Sequence, residues 1–261
     1  MNWTFGTEYL ESRINYLCYF AVLALNFAGF FSHAAKFENI VIATHIEPPL
    51  VDLIDGKFVG QNVDVALALA HSLNMQVSFI QCPFARCLAI TQEGNADMMV
   101  SIRKTPEREE YLHFLSRPFS SNNLPVRFYQ LKTNRHVINA YEDISSLDIG
   151  VLRGATYFER FDHDLALHKI PLTNHNQLIE MLLKGRIDTF LGREVSIQAL
   201  TDKTTYEQQM KMAPYIYIKR FDAYIAVSKR SPLAPRVNEL SKALSELLDS
   251  GELDKLLIKQ D

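Results

Sequence analysis

Cysteine, paired glycine and surplus positive charge are what this chain of 261 residues has least of. Three cysteines are too few for a disulfide-built miniprotein or a cysteine-rich zinc module. None of the ten glycines stands in a G-x-G pair, so a dinucleotide-binding turn is excluded, and no G-x-x-x-x-G-K-[ST] loop exists for nucleotide phosphates. The G-x-S-x-G elbow and the H-E-x-x-H helix are absent too, which removes the usual parts of serine hydrolases and zinc proteases. Lys+Arg 27 against Asp+Glu 30 leaves a formal charge of −3, with no basic excess to follow a phosphate backbone. Nucleic acid is therefore not the expected partner. The eight histidines are scattered; His163 and His168, five apart, miss a common helical face and are read as surface residues, and no metal site is expected. A chain that is 48% hydrophobic and 22% charged has the composition of a globular protein, neither disordered nor coiled coil.

One long apolar run exists, Tyr16–Phe31, without a charged side chain. It is shorter than the roughly 20 residues that span a bilayer, and the small side chains of Ser32-His33-Ala34 follow it. Residues 1–34 are thus expected to be a secretory signal peptide cleaved after Ala34. Arg13 is the only basic residue before the run and stands near Glu8 and Glu11, so an uncleaved N-terminal anchor is the alternative. Either one sends the rest of the chain across a membrane, to the periplasm. Export bears on Cys82 and Cys87 in CPFARC. An oxidising compartment would allow a local disulfide there; the other possibility is two buried thiols near a helix start.

Downstream the pattern alternates strand and helix. Asn39–Thr44 (NIVIAT) has strand length and is followed by the turn signals Pro48-Pro49 and Asp55-Gly56. Val63, Ala66, Leu67, Ala70 and Leu73 recur with helical spacing, as the buried stripe of a helix. Val77 and Phe79 alternate as a strand does, a helix covers Phe84–Glu93 up to Gly94, and 97–101 is the next strand. The scheme then repeats: a strand at 149–152, a helix opening at Arg153-Gly154-Ala155-Thr156, a helix at 177–184 ending at Gly185, and a strand at 187–191. ITQEGNADMMV (90–100) and EMLLKGRIDTFL (180–191) share one plan, in which a helix, a Gly, two residues and an Asp lead into an apolar strand. Val237, Leu240, Leu244, Leu247 and Leu248 form an amphipathic helix closed by Gly251, with a short helix beyond. Two similarly built α/β lobes with mostly parallel sheets are expected, and ligands of such sheets bind at the carboxyl ends of the strands.

Arginines at strand ends and helix starts are the distinctive chemistry: Arg86, Arg103, Arg108, Arg153 and Arg193. Thr105 can cap a helix whose first residue is Pro106, which places Arg108 one turn in, able to fork onto a carboxylate. The alternative is a solvated arginine paired with Glu109 or Glu110. At Leu152-Arg153-Gly154-Ala155-Thr156, a strand passing through Gly into a helix start would offer backbone N–H groups and a hydroxyl to an anion. Two half-sites, one per lobe, would then suit the same small anion.

Five stretches carry a resemblance: IVIATHIEPPLVDLIDGKFVGQNVDVALALAHSL, EGNADMMVSIRKTPERE, DIGVLRGATY, LLKGRIDTFLGREV and DAYIAVSKRSPL with its closing helix. In order and spacing, from about Phe37 to the C-terminus, the chain resembles the bacterial extracellular solute-binding proteins of family 3, the periplasmic amino-acid-binding type. The resemblance implies a two-lobe, type II periplasmic-binding-protein fold with two strand crossovers, near Leu124–Phe128 and Ile218–Asp222. Lobe 1 would comprise 37–125 plus 220–261, and lobe 2 would comprise 126–219. It also implies that Arg108 grips a ligand carboxylate, that Ser101 lies at a strand end giving polar contacts, and that Ala155 and Thr156 donate from the other lobe. Phe84 would cover the ligand's side chain, its other possible role being a core aromatic.

Three positions depart from the family's pattern. Arg193, followed by Glu194, stands where an aspartate for the ammonium is usual, Glu47 stands where an aromatic is usual, and Arg103 replaces a small polar residue. Glu47 or Glu194 would then recognise an ammonium, or Arg193 would pair with Glu47 across the cleft, or the ligand would carry an additional acidic group. The function this implies is capture of a small polar, amino-acid-like or carboxylate-bearing solute for the permease of an ABC-type transporter, by a cofactor-free monomer without catalysis. The rivals are a dehydratase of the same fold acting on a cyclic carboxylate, with Glu47 or Glu194 as acid, and a ligand-sensing module for a separate signalling partner.

Overall fold

The computed structural model describes residues 38–122, 125–218 and 220–257; the expected signal peptide lies outside them. The chain opens with β1 (Asn39–Thr44), the hairpin β2 (Asp52–Ile54) and β3 (Lys57–Val59), then β4 (Gln76–Gln81), β5 (Met98–Ile102), β6 (Leu112–Phe114) and β7 (Ser120–Asn122). It continues with β8 (Pro125–Leu131), β9 (Asp148–Leu152), β10 (His168–Leu172), β11 (Thr189–Gly192) and β12 (Met210–Ile218), and returns as β13 (Phe221–Ser228).

Two mixed sheets result, ordered β4-β1-β5-β13-β6, with β7 also on β13, and β10-β9-β11-β8-β12. The orders correspond. A first strand, β1 or β9, lies parallel between two partners, and an antiparallel strand, β13 or β8, follows. The chain passes between the sheets twice, from β7 to β8 and from β12 to β13. The two passages run side by side: Asn122 faces Phe221 on one side and Pro125 faces Ile218 on the other.

The weak internal repeat has a physical cause. In each lobe a glycine at positive φ (84° at Gly94, 63° at Gly185) ends a helix and releases the chain toward an aspartate. The Asp97 carboxylate accepts the Val41 N–H at 2.8 Å, while its own N–H donates to the Val41 carbonyl at 2.7 Å. Asp188 holds Asp148 in the same way, at 2.8 Å in both directions. Each aspartate therefore clamps the central parallel strand of its sheet, β1 or β9, to the strand that the aspartate itself leads into, β5 or β11.

Two helical expectations need correction. Helix Gln61–Ser72 buries Val63, Val65, Ala66, Leu69 and Ala70, whereas Leu67 is 46% exposed. Packed against both the sheet and the C-terminal helices Val237–Asp249 and Glu252–Leu257, the helix buries two flanks rather than one stripe, and Leu67 faces neither. Nor does a helix open at Arg153. Gly154 turns at φ 80°, Ala155 N–H closes onto the Leu152 carbonyl at 3.0 Å, and the chain stays extended through Phe158 until helix Glu159–His163 begins. The Tyr157 N–H is taken by the Asp162 carboxylate, which fixes the loop instead.

Each lobe has its own core, represented by Ile42, Leu69, Met98, Ile225 and Leu244 in the first and by Phe128, Ile149, Phe158 and Phe161 in the second. A third cluster draws on both, including Phe84 and Cys87 from one side and Leu152 and Phe190 from the other.

Candidate ligand-binding site

Between the lobes, at the strand ends, lies a cleft whose space is about 800 Å³ counting its open mouth. Glu47, Phe84, Ser101, Arg103, Arg108, Ala155, Thr156 and Arg193 all line it.

Arg108 is placed by the local sequence. Thr105 accepts its N–H at 3.3 Å, and Pro106 begins helix Pro106–Glu109. Its side chain is buried, and Glu109 pairs with Lys104 at 2.9 Å, so the alternative of a solvated Arg108 does not hold. One terminal nitrogen donates to the Arg103 carbonyl at 2.8 Å and the other crosses the cleft to the Gly154 carbonyl at 2.9 Å. Burial pulls its pKa below the ordinary arginine value without removing the charge at neutral pH. Its guanidinium stands 5.6 Å over the Phe84 ring, which meets His45 edge-on at 5.0 Å. Phe84 thus belongs both to the cleft wall and to the core.

Ser101 owes its position to a β-bulge. The β5–β13 register skips between Tyr224 and Ile225, leaving Ser101 unpaired at φ 65°. Such a bulge re-aims a side chain, here into the cleft. Arg103 follows; one terminal nitrogen donates to the Tyr157 carbonyl of the opposite lobe. Its pKa falls to about 10, through burial first and then the neighbouring Arg193.

Glu47 lies just beyond β1, in a turn through the cis Pro48–Pro49 bond that brings its backbone onto Val51. His45 Nε2 lies 3.1 Å from one carboxylate oxygen, and Ser196 Oγ, from the other lobe, donates to the second at 3.1 Å. Arg193 Nε stands 3.8 Å from that second oxygen, so the pairing across the cleft is present. Burial alone would raise the Glu47 pKa, but Arg193, the His45 hydrogen bond and His175 together outweigh it and hold the carboxyl far below its usual range. Burial holds the His175 imidazole below its ordinary value.

Glu194 is not part of the cleft lining. Arg193 caps helix Glu194–Leu200 and Glu194 is its first residue, so the two side chains leave the backbone in different directions. Glu194 faces Arg127 at 3.9 Å and accepts from Gln198 at 3.3 Å. Arg86 and Arg153 are exposed and lie outside the lining as well; Arg153 donates to the Pro171 carbonyl.

Sequence reasoning missed His45, Tyr157, His175 and Phe221, which also line the cleft. The available signals were weak: His45 directly follows the first strand run, and His175 follows Asn174, which caps helix His175–Leu183. The Phe221 ring carries two guanidinium groups, Arg103 at 4.5 Å and Arg193 at 4.8 Å. Three buried polar atoms of cleft residues lack a hydrogen-bond partner: Arg103 Nε, Thr156 Oγ1 and His175 Nδ1. Cys82 and Cys87 are joined by a disulfide, with Cα atoms 5.4 Å apart, at the start of helix Phe84–Glu93. Among the described residues no group of three or more side chains could hold a metal ion.

Two α/β lobes on one plan, joined by paired passages and closing charged side chains around a cleft, define a bilobal solute-binding protein. The chain belongs to the bacterial extracellular solute-binding proteins, family 3, whose model matches residues 40–259. Relatives include the probable amino-acid-binding protein YxeM of Bacillus subtilis (strain 168), 22% identical over 231 residues, spanning 86% of this chain and 85% of the relative. The arginine-binding extracellular protein ArtP of the same organism is 22% identical over 242 residues, 91% of each chain. Among solved structures, a mutant of ArgBP from T. maritima superposes with a TM-score of 0.71 at 19% identity, over 85% of this chain and 94% of that one, which shows the shared fold. As a member of this family the protein binds a solute and is not an enzyme. No helix among the described residues is long and apolar enough to cross a membrane.

Proposed function

We propose that the cleft captures a small carboxylate-bearing, amino-acid-like solute in the periplasm and hands it to the permease of an ABC-type transporter, the protein acting as a monomer. In this reading, residues 37–125 with 220–261 and residues 126–219 are two bodies that close about the paired passages as a hinged trap. The observation that carries it is Arg108: a buried guanidinium, tied by one nitrogen to each lobe, with N–H groups left over for a guest. A carboxylate held there, with Ser101 and Thr156 hydroxyls nearby, would link the lobes through charge-assisted hydrogen bonds in a cleft losing its water. The names of the relatives, amino-acid-binding and arginine-binding, support this class of solute.

Calorimetric titration with amino acids and small carboxylates tests the assignment. Arg108→Ala should weaken binding of any solute so found by roughly 30-fold or more, as loss of a buried charged hydrogen-bonding partner does. A correctly folded variant with unchanged affinity would remove Arg108 from the site. Bound solute at 100 times its Kd should also raise stability by about 2.7 kcal/mol.

A further inference from the structure

We propose that Arg103, Arg193 and Phe221 form a second acid-binding subsite beside Arg108, so that the solute is a short dicarboxylate without an ammonium group. This rests on the carboxylate-capture reading above and narrows it.

The charge inventory of the cleft points this way. Three guanidinium groups line it, Arg103, Arg108 and Arg193, against one carboxylate, Glu47. Outside the lining, Asp162 accepts the Tyr157 N–H and offsets part of the charge of Arg103 and Arg108 but not that of Arg193, while Glu194 is engaged with Arg127 and Gln198. Arg103 and Arg193 stand over the same Phe221 ring, close enough that the charge on one disfavours the charge on the other. An aromatic face stabilises a cation, but two like charges on one ring call for an anion between them.

Unused donors belong to the same cleft residues. Arg103 Nε is buried without a partner, as is Thr156 Oγ1. The contacts of Arg193 with described residues are its long pair with Glu47 and the Phe221 ring, which leaves its terminal N–H groups for a ligand. Leaving such groups unmatched costs free energy that a second acid group would recover.

The same arrangement works against an ammonium. Both oxygens of Glu47 already have protein partners, His45 on one and Ser196 on the other. Any cation reaching Glu47 would also arrive within a few ångströms of Arg193, which stands 3.8 Å from it. Repulsion of that kind is a means of specificity as effective as attraction.

The test is calorimetric titration of the full mature chain with glutarate, glutamate, glutamine, arginine and butyrate. Glutarate should bind at least tenfold more tightly than each of the others. Arg103→Gln and Arg193→Gln should each weaken glutarate at least tenfold and by a clearly larger factor than they weaken butyrate, while Arg193→Lys, which keeps the charge, should recover most of the loss. Near-ultraviolet circular dichroism confirms that each variant is folded. Tighter binding of arginine, glutamine or glutamate than of glutarate overturns the subsite; if that binding is lost in Arg108→Ala, the carboxylate-capture reading stands without it. Glutarate binding unchanged by Arg193→Gln also overturns the subsite. Glutarate binding that survives Arg108→Ala overturns the broader reading instead.

Discussion

The two lobes share a frame and differ at the mouth. β1 with its Asp97 clamp and β9 with its Asp188 clamp are superimposable in plan, down to the residue that each aspartate holds, Val41 or Asp148. Beyond the strand ends the likeness stops. The first lobe sends three long charged side chains into the cleft, Glu47, Arg103 and Arg108, whereas the second sends only Arg193 and receives two of the three on backbone carbonyls, those of Gly154 and Tyr157. A repeated scaffold can thus hold two unlike loops facing each other, and the chemistry resides in the loops.

Substitutions can break or sharpen that comparison. The largest effect should come from the clamps. Asp97→Ala should cost about 2–3 kcal/mol, because Asp97 also accepts Ser231 Oγ at 2.6 Å, and Asp188→Ala about 1–2 kcal/mol. Urea denaturation measures both; a larger loss for Asp188→Ala would mean that the clamps are not equivalent devices. Next comes Gly150, which occupies the place in β9 that Ala43 takes in β1. A Cβ there would lie 2.6 Å from Ile187 Cδ1 and 2.9 Å from Leu178 Cδ2, so Gly150→Ala should cost about 1–2 kcal/mol through overpacking. Unchanged stability would show that the second core gives way more readily than its packing implies.

At the mouth, Glu47→Gln should cost about 1 kcal/mol at pH 7, by loss of charge-assisted contacts to the second lobe. Glu47's pKa in the folded protein lies below its ordinary 4.5, so its contribution is fully present above about pH 4.5 and fades as pH falls below that value. The gap in Tm between wild type and variant should therefore narrow in acid; a gap constant down to pH 3 would mean that the charge is not what matters. The smallest effect is expected at the bulge. Ser101→Gly should gain about 0.5 kcal/mol, because glycine accepts the φ of 65° more readily, while solute affinity falls with the lost hydroxyl. Stability that drops instead would show that the hydroxyl supports the fold itself.

What the sequence revealed, and what it hid, follow the same division. NIVIAT and the helix ending at Gly94 are set by local periodicity and a left-handed glycine, and both are legible. So is the helix start before Arg108, because cap and proline lie within three residues of it; the burial of its guanidinium is not, since Gly154 of the other lobe takes part in holding it. The loop at Arg153–Phe158 is not legible, since Asp162, acting back from the next helix, decides its conformation. Leu67 is misplaced because a helix covered on two flanks has no single stripe. His45, Tyr157, His175 and Phe221 come from four separate segments, and only the approach of the lobes assembles them. Glu194 shows the converse: a charged neighbour of a cleft residue is carried away by one step of helical rotation.

Phe221 is the first residue of the strand that re-enters the first sheet, directly after the second passage between the lobes. In the proposed hinged closure its ring would therefore lie beside the passages that serve as the hinge, with one cation from each half resting on it. A pivot built this way would register charge: whatever neutralises those cations would act where a small local shift is carried to the distant rims.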